Sequence, residues 1–562
     1  MRKVSPWHLP LLLLVSLSLG LLLGSLQPSG SGGAAQAQEE GHDRPILQVS
    51  PSSLGFRARV GTTPAPLYLS IANAGGELME WHASADAGWI ILGAEGGKLS
   101  GGREIQLLVW VRVEGLEPGK YRGRVTISAE GAQGSPVQVP VLLWILSEQA
   151  ILNEDILALI GADYYFNRGI TGQGVRVGVI DLGFAGIDEL IQQGELPEGI
   201  VAWNCLGRQT AEELLGCRQV SPEELSEASA EGIKHGTAVA EIIHDVAPEA
   251  ELYLFLIRNG VELDQAVAKA IDEGIQVINH SVAWFNDGSF YDGHGITGQI
   301  VRDAWQNGIF WVNAAGNFAK AHYQGVFQDR DGDHYHDEVI TLEVPEEGIL
   351  LTAYLTWDAW PKTFEDFDLF LIKGPKQAAA SINRQNGTEP DERIFYLAAE
   401  AGTYTLKIKW VGEGPPPDRE MELFVSPSWL ELGPAIPESS LPAPANAPEA
   451  FVVGAVNPKT LEIEPFSSRG PTNTGLTKPD LVAPDCLRTA TYEGAPSAEI
   501  CGADGLFAGT AASAPLVAGA AALLLSEDPS RSAADLARIL KERATPKGDP
   551  NTYGAGVLNL RQ

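Results

Sequence analysis

A chain of 562 residues carries 39 Lys and Arg against 72 Asp and Glu, a formal net charge of −33. Such a surface repels phosphate backbones and anionic lipid, so nucleic acid is excluded as an expected partner. Hydrophobic residues make up 44% and charged residues 20%, which excludes a wholly disordered chain, and at ~150 residues per domain the length predicts three or four domains.

The N-terminus reads as a cleavable signal peptide over 1–37. Arg2 and Lys3 precede an apolar run from Leu9 to Leu23, and Ala35-Gln36-Ala37 supplies small residues for cleavage. The run is shorter than the ~20 residues a membrane helix needs. The expectation is a secreted protein with no membrane association after cleavage. Export permits disulfides. Of the three pairings open to Cys205, Cys217, Cys486 and Cys501, the two local ones are favoured, both segments reading as surface loops. Four free buried thiols are the alternative, and the spacing fits no metal site.

From Ile46 to Leu146 short alternating strands are separated by Gly and Pro turns about every ~10 residues, the pattern of a β-sandwich. The stretches LQVSPSSLGF, IANAGG, WHASADAGWI and GLEPGKYRGRVTIS resemble the BACON family of immunoglobulin-like domains over 45–147. That resemblance implies a spacer, with carbohydrate as the ligand some relatives take.

From about Asp155 apolar strands alternate with helices: Val175–Ile180, Leu252–Ile257, a helix over 263–273, Gln276–Asn279 and Gly308–Asn313. This predicts an α/β domain with a parallel sheet and helices on both faces. Its first part spans 152–318. A second all-β stretch, 325–430, interrupts it, and the α/β pattern resumes over 446–562 after a Pro-rich return segment.

Four short motifs concentrate chemistry in this α/β domain: Asp181 at the end of a strand, His235 opening a helix, Asn317 after a strand, and Gly509-Thr510-Ala511 at the start of an apolar helix. Each alone has a structural explanation, whether turn, cap or helix start. Together, VGVIDLG, HGTAVAEII, VINHSVA, WVNAAGN, FSSRGPT, KPDLVAPD and GTAASAPLVAGAAALL resemble the subtilisin-like serine proteases. The order Asp, His, Asn, then nucleophile helix is that family's order. The resemblance implies that Asp181 orients His235, that His235 is the general base, and that Asn317 donates to the oxyanion. It implies that Ser281, Val282, Ala283 and Gly316 line the substrate-binding cleft, Ala283 replacing the family's usual Gly.

The departure is Ala511. Gly509, Thr510 and Pro515 leave no freedom of register, so the position that should hold the nucleophilic serine carries a methyl group. Ser513 lies about 200° further around the helix and points elsewhere. The chain is therefore expected to be inactive as a serine endopeptidase, a pseudoprotease or a Ser-to-Ala variant that still binds extended peptides. An extracellular adhesion or scaffold protein is the alternative. No cofactor is required for the chemistry. The run Asp329-Arg330-Asp331-Gly332-Asp333-His334-Tyr335-His336-Asp337 offers Asp329, Asp331, Asp333 and Asp337 as ligands for structural calcium, though it lacks the Gly placement and terminal Glu of an EF-hand loop. A solvated acidic turn, or a transition metal at His334 and His336, are the competing readings.

Overall fold

A computed structural model of the chain describes residues 44–147, 153–207, 216–230 and 232–561. The expected signal segment lies outside them. Residues Leu47–Leu146 form two facing sheets, one of four strands and one of five. Their inner faces carry the alternation seen in the sequence: Leu69, Ile71, Val109 and Val111 from one sheet meet Val125, Ile127, Val139 and Val141 from the other.

The central sheet has eight strands. In spatial order they are Arg218–Val220, Val201–Asn204, Glu251–Leu256, Arg176–Asp181, Val277–His280, Phe310–Ala314, Phe451–Val456 and Leu481–Pro484. All neighbours are parallel except the first pair. Helices cover both faces, which is why these strands read as continuous apolar runs rather than alternating ones. The helix Thr510–Glu527 is buried from Thr510 to Leu525. A helix apolar on every side belongs in a core, and this one packs against the helix His235–Val246 and the central strands.

The chain leaves this domain at His322 and returns after Gly433. Between them two antiparallel sheets, of four and five strands, enclose a second core around Leu351, Trp357, Phe367 and Leu423. Cys205 is bonded to Cys217 and Cys486 to Cys501. The loops are less superficial than the sequence suggests, for Cys205 is fully buried against Trp203 and Ile257.

Candidate active site

The carboxyl ends of parallel strands are where an open α/β sheet builds its sites, and four segments meet there. Asp181 ends the strand Arg176–Asp181 and is buried. Its Oδ1 accepts the Leu182 amide at 2.8 Å, and its Oδ2 lies 2.8 Å from His235 Nδ1. His235 begins its helix where Gly236 allows a close approach: a Cβ there would sit 2.5 Å from the Phe184 ring and 2.8 Å from Asp181 Cβ. Thr237 Oγ1 donates to Ala185 O at 3.0 Å and fixes the same turn. The imidazole packs edge-on to Phe507 at 5.4 Å. Burial alone would lower the His235 pKa; the charge of Asp181 and its hydrogen bond outweigh that, and the net direction is upward from 6.5.

Asn317 follows the strand Phe310–Ala314. Its Oδ1 accepts both the amide and the hydroxyl of Thr510, each at 3.0 Å, and Thr510 Oγ1 in turn accepts the Gly316 amide at 3.1 Å. With the oxygen held, the Nδ2 donor end is turned to Gly509, where a Cβ would approach it to 2.9 Å. Gly509 also has φ +108°, a region closed to other residues at low cost. The Gly509 amide donates to Asp485 Oδ2 at 3.0 Å. The start of the Thr510–Glu527 helix is thus fixed at two successive residues, Gly509 and Thr510. Ala511 lies within this turn and is 8% exposed, whereas Ser513 is 0% exposed with its hydroxyl unpartnered, so Ser513 is not positioned to meet a substrate.

Ser281, Val282 and Ala283 lie beside this cluster, but the strand Val277–His280 ends before them. Its ladders to both neighbours stop at His280, paired with Ile180 and Asn313, so the three residues carry the chain on outside the sheet's pairing. Beneath them burial holds His280 down to about 4. The neutral ring meets Asn313 Oδ1 at 3.0 Å and accepts the Trp284 indole N–H at 3.3 Å.

The four acidic-loop residues separate into two groups. Oxygens of Asp329, Asp331 and Asp333 all lie within 4.8 Å of one another. Asp337, expected with them, lies outside that group. Its two oxygens accept the Arg330 amide at 3.2 and 3.3 Å, and its Oδ2 is 3.3 Å from the Arg330 guanidinium.

Sequence reasoning assigned no role to Thr510, Asp485 or the stacked pair Tyr492 and Phe507, whose rings lie 4.9 Å apart. Asp485 stood inside the quoted KPDLVAPD motif, but only the fold brings it under Gly509, 24 residues away.

The Subtilase family model matches residues 437–556, and the Viral BACON domain model matches residues 46–140. Serine protease AprX of Bacillus subtilis is 28% identical over 198 residues, which are 31% of this chain and 43% of that protein. Subtilisin BL of Lederbergia lenta is 36% identical over 121 residues, 22% of this chain and 40% of that one. The chain thus spans less than half the length of these curated relatives. The structure of the Clostridium perfringens CspB protease aligns with a TM-score of 0.49 at 17% identity, covering 71% of this chain and 95% of that one. The chain carries a subtilase-family domain behind an N-terminal BACON domain.

Proposed function

We propose that this is a secreted peptide-binding protein of the subtilisin type whose catalytic layout is complete except for the nucleophile. The observation that carries the proposal is the hydrogen-bonded Asp181–His235 pair beside an Asn317 amide clipped to Thr510, with a methyl group at Ala511. In this reading His235 Nε2 would take the nucleophile's proton, Asp181 would hold the Nδ1–H tautomer and stabilise the imidazolium, and Asn317 Nδ2 would donate to the developing oxyanion. In subtilisin, removing such a donor costs ~10²–10³ in turnover. Deleting the serine costs about 10⁶, roughly 8 kcal/mol of transition-state stabilisation. What remains is a cleft, bounded by Ser281–Ala283 and Gly316, that takes an extended peptide without cutting it.

Secretion is supported by the two disulfides. Calcium belongs to the proposal as a structural ion on Asp329, Asp331 and Asp333, without Asp337. The test of the catalytic reading is digestion of unfolded casein. The parent should leave it intact, Ala511→Ser should cleave it, and adding His235→Ala should abolish cleavage. A folded Ala511→Ser protein with no activity would favour the scaffold reading.

A further inference from the structure

The inserted sandwich presents one sheet face outward, and that face is split in two. In the four-stranded sheet, Leu351, Ala353, Leu355 and Ile394 point into the sandwich core. The alternate residues of the same strands stand on the outer face. Register places Tyr354 opposite both Phe424 and Arg393, Thr352 opposite Phe395, and Leu350 opposite Leu397. The Phe424 half is covered. Phe424 is fully buried, 5.7 Å from Phe318 and 5.3 Å from Phe285, and this contact seats the sandwich on the α/β domain. The other half is open: Phe395 is 64% exposed, Leu397 63% and Leu350 56%.

The two halves join through an aromatic ladder that begins at the candidate cleft. Phe318 follows Asn317, and Phe285 lies two residues beyond Ala283. Phe285 meets Phe318 edge-on at 5.1 Å and stacks on Tyr354 at 4.6 Å; Tyr354 meets Phe395 at 6.1 Å. The open apolar strip therefore continues an interface the molecule already uses. Outward positions on a solvated antiparallel strand are ordinarily polar, and Phe395, Leu350 and Leu397 contribute nothing to the sandwich core. The far end of the strip is acidic. Exposed Glu346 and Glu347 precede Leu350, exposed Glu400 follows Leu397, and Gly348 N donating to Ala398 O at 2.7 Å brings the two turns together.

We infer that the open half of this face docks the distal part of the polypeptide held in the cleft: an extended segment that is apolar and aromatic along the strip and basic at its far end. This rests on the peptide-binding reading above and deepens it by naming the substrate class. The apolar side chains supply affinity by burial. The carboxylates select against acidic segments, which a chain of net charge −33 would in any case repel.

The test uses fluorescent peptides and the full chain. A short probe, Ala-Ala-Leu-Phe-Ala-Ala, addresses the cleft alone. Extended probes add Gly-Phe-Leu-Phe-Lys-Lys-Lys at the C-terminal end or its reverse at the N-terminal end, and a control ends in three glutamates. Binding is followed by anisotropy and stability by Tm. The extended basic probe, on one of the two ends, should bind at least about tenfold more tightly than the short one, the gain expected from burying one or two large side chains. Phe395→Ser with Leu397→Ser should erase that gain while leaving Tm and the short probe's affinity unchanged. Glu346→Lys with Glu347→Lys should remove the preference for lysine over glutamate. If the short probe binds and neither extension adds affinity, or the serine variant keeps the gain, the docking surface is wrong and the cleft stands. If the short probe does not bind, the cleft reading falls and this inference with it.

Discussion

Asp485 is fully buried, and only one of its oxygens, the one that accepts the Gly509 amide, has a hydrogen-bond partner among the described residues. Burial first, and the nearby Glu464 carboxyl after it, push its pKa up from 3.8 to about 7, against the opposing pull of the Gly509 amide. The folded protein therefore keeps a proton that the unfolded chain gives up, and stability falls as pH rises between those two values. At about 1.4 kcal/mol per unit this amounts to a few kcal/mol at most. Asp485→Asn keeps an acceptor for Gly509 and removes the charge. Tm measured from pH 4 to 8 should fall less steeply in that variant; an unchanged slope would mean Asp485 is ionised throughout. His235 works in the opposite direction on function. In the proposed role of general base His235 must be neutral; burial alone would lower its pKa, and the charge and hydrogen bond of Asp181 outweigh that and raise it above 6.5. In an Ala511→Ser background the rate of active-site labelling should climb with pH through a midpoint above 6.5. Asp181→Asn should slow labelling and lower that midpoint.

The acidic loop is the element whose sequence promised most and whose structure divides it. Asp329 accepts the amides of Gly332, Asp333 and His334, which shapes the turn, and the oxygens of three carboxylates converge on it. We expect millimolar calcium to raise Tm by a few degrees, and Asp331→Ala to abolish the rise; a Tm indifferent to calcium in the parent would remove the ion from the proposal. The loop also shows what a sequence can carry. Spacing announced the carboxylates, but whether Asp337 joins them depends on where the Arg330 side chain goes. The strands of the central sheet were legible because burial on both faces leaves a continuous apolar run such as Val177–Ile180. Asp181 and His235 were legible because each opens or closes an element. Thr510 and Asn317 are 193 residues apart, and no local pattern encodes that pairing. Ser281–Ala283 follow Val277–His280 without a break in sequence, yet the pairing stops at His280 although both neighbouring strands run one residue further, to Asp181 and Ala314.

At the scale of the molecule, the N-terminal sandwich is built into the α/β domain on the side away from the candidate site. The helix that opens with His235 closes at Val246, and that far end meets the sandwich. Arg57 Nη2 donates to Asp245 O at 3.3 Å, and its guanidinium lies over Phe166 at 4.1 Å and Trp144 at 4.9 Å. Lys120 Nζ donates to Pro248 O at 2.6 Å. Leu142, Trp144 and Leu146 of the sandwich belong to the same core cluster as the Thr510–Glu527 helix. The two domains should therefore unfold in one calorimetric transition. Arg57→Ala should lower stability by roughly 2–4 kcal/mol, since it removes a desolvated cation–π contact and a charged hydrogen bond together; two separate transitions in the parent would show that the domains are merely tethered. The N-terminal domain braces the back of the fold and the inserted sandwich extends its front, and in the proposed reading the site lacks only the nucleophile's hydroxyl. The most direct measurement is labelling by a fluorophosphonate probe with the modified residue mapped by mass spectrometry. No label on the parent, label at position 511 in Ala511→Ser, and loss of that label on adding His235→Ala is the expected result. Label on the parent at Ser513, or a folded Ala511→Ser protein that stays unlabelled, would contradict it.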